Sequence, residues 1–271
     1  MSPTPGLAVA EFVHTEFAID DHVATITLNR RERRNALNYR AYDELEASFR
    51  MVSSDLNVRC VIVTGADPAF CSGDDVREIM SGPDSVTRKE RRATPRATPA
   101  AMAALECECP VIAAINGPAI GWGMELALFA DIRIASEKAK FSEMFVKRGL
   151  VSDVGGFYRL PAIVGPAKAS ELLFTGDAID ATEALRIGLI SELVPHDGLI
   201  EKARDLALRI AANPPLAVRA LKDGLRRTAY GDPEEIGRWA IETIYRLMQT
   251  EDHREGVASF LEKRAPKFEG R

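Results

Sequence analysis

Two short runs constrain the fold most. "CVIVTG" (Cys60–Gly65) and "PVIAAI" (Pro110–Ile115) are almost wholly apolar, and each leads into a turn rich in glycine. An alternating strand can keep one face in water, whereas a strand without polar positions needs cover on both faces. The second run passes through "NGPAIG" into "MELALFADIRIAS", which reads as a short apolar helix followed by another strand. Strand, turn and helix recurring in this way predict stacked α/β units.

The flanks fit that reading. "FVHTEFAI" and "HVATITLNR" alternate apolar and polar residues about "DD" and predict a hairpin. In "YRAYDELEASFRMVSSD", Tyr42, Leu45, Phe49 and Val52 share one helical face. Beyond Val194, four segments punctuated by proline and glycine all read as helices. The expected organisation is an α/β core over residues 1–195 and a helical region over 196–271. The polar, basic stretch from Ser81 to Ala100 carries three prolines and reads as a loop leading into a helix start.

With 271 residues, 46% of them hydrophobic, the chain can bury a sizeable core. Its net charge of −5 leaves no basic surplus for nucleic acid. The basic stretches Arg30–Arg34 and Arg88–Arg92 read as solvated faces. Four cysteines, two of them in the CxC at Cys107 and Cys109, suggest neither a disulfide framework nor a metal site. No signal-peptide pattern or run of membrane-spanning length is evident, so a cytoplasmic location is expected. Neither glycine turn has GxGxxG spacing, so no nicotinamide or flavin is expected.

The chemistry concentrates at two strand ends, "VTGADPAFCSGDDVREI" and "AAINGPAIGWGMELAL". Each exposes backbone N–H groups at the start of a helix, where they and the helix dipole stabilise negative charge on an oxygen. Two such donors converging on one carbonyl make an oxyanion hole. Taken alone, the glycine pattern is better read as ordinary tight turns of an α/β protein. Glu125 is the one charged residue between Gly117 and Ala130. It is either a solvent-facing or paired glutamate, or a buried acid/base whose raised pKa lets one group accept and donate a proton near neutrality.

"NALN" (Asn35–Asn38), "AFCSGDDVREI", "INGPAIGWGMELALFADIRIAS", "FTGDAIDATEALRIGLISELVP" and "FLEKRAPKF" arrive in order over nearly the whole chain. Together they resemble the crotonase, or enoyl-CoA hydratase/isomerase, superfamily. The resemblance implies a spiral of ββα units with a C-terminal helical region. It also implies an acyl-CoA thioester substrate, an enolate held in an oxyanion hole, and assembly as a homotrimer or dimer of trimers. No separate cofactor is implied, because coenzyme A is part of the substrate. Carried over by position, the backbone donors are Asp74 and Trp122, the latter where the family often has glycine. Ala36, Leu37, Asp75 and Val76 match CoA-contacting positions, and Phe260 and Lys263 match tail positions that approach the nucleotide of a neighbouring subunit.

One departure matters. Hydratases of the family use two glutamates; Glu125 matches the first, but Phe145 occupies the place of the second. Glu143 lies two residues away, and on a helix that is about 200° of rotation, so it is not expected to substitute. Asp153, in "GLVSDVGGFYRL", matches the position of a catalytic aspartate in dienoyl-CoA isomerases and of a nucleophilic one in aryl-CoA dehalogenases. It is also well placed as a helix N-cap. The expected activity is enoyl-CoA hydration or double-bond isomerisation, with Glu125 as acid/base and Asp153 as second acid. The alternatives are a dienoyl-CoA isomerase-like or other specialised crotonase acting on cyclic or aromatic acyl-CoA (hydrolase or dehalogenase), and a non-catalytic acyl-CoA- or RNA-binding member.

Overall fold

A computed structural model describes residues 11–80, 97–228 and 232–271. The predicted hairpin is present: β1 (Thr15–Asp20) pairs antiparallel with β2 (Val23–Leu28). Four parallel strands follow in the same sheet: β3 (Cys60–Gly65), β4 (Val111–Ile115), β6 (Ile132–Ser136) and β9 (Glu192–Val194). The order is β1-β2-β3-β4-β6-β9.

The apolar runs are covered on both sides, and the two-residue period shows which side chain goes where. Val61, Val63, Ala113 and Ile115 face one core, with Leu45, Phe49 and Val52 of α1 (Tyr39–Ser54) and Ala100 and Ala104 of α2 (Pro99–Glu106). Cys60, Ile62, Ile112, Ala114 and Ile134 face a second core, closed by Leu199, Ala203, Ala207 and Ala211. Those four residues form one stripe of α7 (Leu199–Ala211). The first helix beyond the expected boundary at residue 195 thus covers the sheet's other face.

A small second sheet positions the site. β5 (Ala119–Ile120) runs parallel to β7 (Lys140–Ser142), which pairs antiparallel with β8 (Ile179–Asp180). Cys71 extends it by a bridge to Ala119, and Asp74 makes a parallel bridge to Leu37. Long strand, short strand and helix repeat as β4, β5 and α3 (Trp122–Phe129). They repeat again as β6, β7 and a 3-10 helix over Met144–Arg148. This is the expected ββα spiral.

The "GDDVREI" stretch opens as a single π turn, Val76–Met80. Most of the expected loop between residues 81 and 100, including Arg88–Arg92, lies outside the described residues, and its helix start is Pro99. Between α3 and the tail lie α4 (Leu160–Val164), α5 (Pro166–Thr175) and α6 (Ala181–Arg186). The tail continues through α8 (Pro215–Thr228), α9 (Pro233–Leu247) and α10 (Glu251–Glu262). Among the described residues no helix is long and apolar enough to cross a membrane.

Candidate active site

The two glycine turns meet. Cys71 N–H donates to the Pro118 carbonyl at 3.1 Å, and Ile120 N–H donates to that of Cys71 at 2.9 Å. Gly73, at φ +87°, sits where a Cβ would lie 2.7 Å from the Ile120 carbonyl oxygen and 3.4 Å from the Trp122 nitrogen. A side chain there would meet both a strained backbone angle and a steric clash. Asp74 and Trp122, the two expected donors, consequently border one small cavity of about 40 Å³, with Val76, Phe145 and Arg148 also on its wall.

The "NALN" segment is fastened to the same loop. Leu37 N–H donates to the Gly73 carbonyl and Asp75 N–H to that of Leu37, both at 2.8 Å. Asn35 Nδ2 reaches the carbonyls of Ala66 and Ala69, each at 2.7 Å. Arg30 corrects the expectation of a solvated basic face: it is buried, and its guanidinium binds the Ala36 carbonyl, Asp75 and Glu78. Arg31–Arg34 are exposed as expected. Phe260 lies on α10 with 82% of its surface exposed, and Lys263 caps that helix at φ +56°. Neither borders the cavity.

Glu125 is fully buried in the first turn of α3, and the solvent-facing alternative fails. Its Oε1 accepts from the Ser152 hydroxyl at 2.5 Å and from Asp153 N–H at 2.9 Å; its Oε2 accepts from Gly156 N–H at 3.1 Å. Gly155 permits this approach, because a Cβ there would lie 2.1 Å from Glu125 Oε2. Burial pushes the Glu125 carboxyl up to about 7. The Ser152 hydroxyl and the Gly156 N–H hold it down, while the charge of Asp153 adds to the rise.

Asp153 is half-buried just before the helical turn over Gly155–Arg159. Oδ1 accepts from the adjacent Val154 N–H at 2.8 Å. Oδ2 accepts from the Thr98 hydroxyl at 2.7 Å and from the Trp122 indole Nε1 at 3.2 Å. One oxygen therefore serves the backbone and the other faces side chains of α3 and the segment before α2. Glu125 and Asp153 are neighbours, but neither borders the 40 Å³ cavity. Trp122 belongs to both places. It borders the cavity, its indole N–H holds Asp153, and its ring packs edge-on against Tyr42, with centroids 4.7 Å apart. Tyr42 in turn donates its hydroxyl to Asp74 Oδ1 at 2.6 Å.

Sequence reasoning missed Glu143 and Ser152. The helix argument against Glu143 does not apply, because Glu143 precedes the 3-10 helix, at the end of β7. It turns inward, almost fully buried, with Oε2 3.1 Å from Ser152 Oγ, whereas Phe145 faces Gly121 and the cavity. No residue pattern marked it: that Phe141 and Ser142, the two residues before it, are both buried is visible only in the fold.

A family model described as enoyl-CoA hydratase/isomerase matches residues 18–271. The short-chain-enoyl-CoA hydratase of Clostridium acetobutylicum is 36% identical over 92% of this chain and 94% of that protein. The (E)-benzylidenesuccinyl-CoA hydratase of Thauera aromatica is 36% identical over 93% and 97% respectively. The crystal structure of an enoyl-CoA hydratase from Bacillus anthracis superimposes with a TM-score of 0.89 at 34% identity, covering 96% of this chain and all of that one. Sequence, spiral fold and relatives agree that the chain belongs to the enoyl-CoA hydratase/isomerase family of the crotonase superfamily.

Proposed function

We propose that the chain moves a proton at the carbons next to the thioester of an enoyl-CoA, adding water across the double bond or shifting that bond. The observation that carries this reading is Glu125, a buried carboxyl poised near neutrality one turn of α3 beyond Trp122. In this reading the thioester oxygen is bound by the main-chain N–H groups of Asp74 and Trp122. Negative charge that develops on that oxygen as the enolate forms is stabilised there by about 3 kcal/mol per donor. Glu125 takes or returns the proton, and Asp153 acts as the second acid or orients water. CoA lies along Ala36, Leu37, Asp75 and Val76, with Phe260 and Lys263 offered to a neighbouring subunit. No metal or separate cofactor takes part in this scheme.

A second reading, isomerisation or another specialised crotonase reaction, draws support from Phe145. An aromatic ring stands at the position where the family's water-splitting pair has its second glutamate, and Asp153, whose N–H bonds Glu125, is the acid that reading assigns as its partner. Exposed Leu221, Leu225, Ile244, Tyr245 and Phe260 on α8 to α10 support assembly as a trimer or pair of trimers.

The test is incubation of the purified protein with crotonyl-CoA, a 3-enoyl-CoA and a 3,5-dienoyl-CoA. Turnover that disappears in Glu125→Gln supports the proposal. Tight binding of all three without conversion assigns the chain to acyl-CoA binding alone.

A further inference from the structure

Ser152 Oγ stands between two buried carboxyls, 2.5 Å from Glu125 Oε1 and 3.1 Å from Glu143 Oε2. A hydroxyl carries one hydrogen. It can donate to only one of the two, and the other must bring a proton of its own or face an oxygen lone pair across the contact. The shorter distance is that of O–H donating to a carboxylate, which places the ionised partner at Glu125. Glu143 is then the neutral acid, donating to Ser152 Oγ. Its other oxygen, Oε1, is buried with no hydrogen-bond partner among the described residues, an environment that a charged carboxylate tolerates poorly. Burial, the Glu125 charge and the Asp153 charge all push the Glu143 carboxyl well above the usual range, and Ser152 only partly opposes them.

We propose that Glu143 is the proton partner of Glu125, the two carboxyls holding one proton between them through the Ser152 hydroxyl. This rests on Glu125 as the acid/base. The exchange is balanced. The O–H bond of Glu143 breaks as a new one forms on Ser152 Oγ, and the former Ser152 O–H bond breaks as one forms on Glu125 Oε1. Two protons each shift across one hydrogen bond, for a net transfer of one proton from Glu143 to Glu125; no electrons are transferred, and the negative charge passes from Glu125 to Glu143. Glu125 can thereby change between base and acid without drawing a proton from bulk water. Glu143 and Ser152 act through Glu125 and are positioning residues.

Among the described residues no cation is hydrogen-bonded to either carboxyl. Asp153 is the further charge acting on both carboxyls. Among cations on the adjoining elements, Arg159 is turned to the carbonyls of Leu128 and Ala130, Lys147 pairs with Asp177, and Arg148 borders the cavity.

The test compares pH profiles of kcat and KM on a turned-over enoyl-CoA for the wild type, Glu143→Gln and Ser152→Thr, together with infrared pH-difference spectra of the substrate-free proteins. Glu143→Gln is isosteric and should keep KM within about twofold while lowering kcat about tenfold or more. It should reduce two pair ionisations to one, and the protonated-carboxyl band that the wild type keeps at pH values well above 7 should vanish. Ser152→Thr, which keeps the hydroxyl, should retain both ionisations and the band. Superimposable profiles and spectra for the wild type and Glu143→Gln would overturn the proposal. If Glu143→Gln removes the band as expected yet Glu125→Gln leaves turnover intact, the shared proton stands and the acid/base reading of Glu125 falls.

Discussion

The indole Nε1 of Trp122 donates to Oδ2 of Asp153 across 3.2 Å, tying the residue of the second glycine turn to the acid 31 positions later. The tie makes Trp122 more than a bulky substitute for the family's glycine, because it fixes the direction of an acid beside Glu125. Trp122→Phe keeps the backbone N–H and most of the ring packing but removes this bond. Stability should fall by about 1 kcal/mol in a denaturant titration. With Asp153 less well held, kcat should fall several-fold with little change in KM.

Glu125→Gln should lower kcat by about 10²-fold or more in steady-state assays. Its effect on stability has a definite sign. The wild-type carboxyl is raised from an ordinary 4.5 to about 7, so between those values the folded protein holds a proton that the unfolded chain has released. Wild-type stability from this group is therefore present below about pH 4.5 and declines as pH rises towards about 7. The stability of Glu125→Gln relative to wild type should increase across that window and level off above it, as followed by denaturant melts at several pH values.

Gly155→Ala tests the close approach behind Glu125. Its Cβ would fall 2.1 Å from Oε2 and 3.1 Å from the Phe129 ring, so the carboxyl must move. A loss of about 1–3 kcal/mol is expected in thermal or denaturant unfolding. Turnover should be lost in proportion to the displacement.

Gly73→Ala tests the oxyanion reading. At φ +87°, with the Ile120 carbonyl 2.7 Å from the new Cβ, the loop carrying the Asp74 N–H must shift. Loss of one donor should cost about 10²–10³-fold in kcat. Near-normal turnover by a folded variant would refute the assignment of Asp74.

Phe145→Glu asks what the missing second glutamate does. A carboxylate on the cavity wall beside Trp122 should raise hydration of crotonyl-CoA relative to double-bond migration, by about tenfold if it can hold water. Product ratios by chromatography would measure it.

The sheet was legible because its signal is local. Residues 60–65 and 111–115 have no polar face to expose, and their alternate side chains do divide between the two cores. Glu125 stood out as a lone charge in an apolar helix. Glu143 did not, because its inward direction is decided by where β7 ends and the 3-10 helix begins, a boundary that the residue pattern does not mark. The bond from Trp122 to Asp153, and Ser152 between two carboxyls, join positions 9 to 31 residues apart and exist only once the spiral has closed. Arg30 was misjudged for the same reason: its partners Asp75 and Glu78 lie 45 and 48 positions away.

The bridges from Leu37 to Asp74 and from Cys71 to Ala119 are made by main chain alone. A change of side chain at these rows leaves their spacing intact, so the frame beneath the cavity is inherited independently of what lines it. Exchanges at Phe145, Trp122 or Asp153 can redirect the reaction over evolutionary time, while the scaffold that brings the two loops together need not be reinvented.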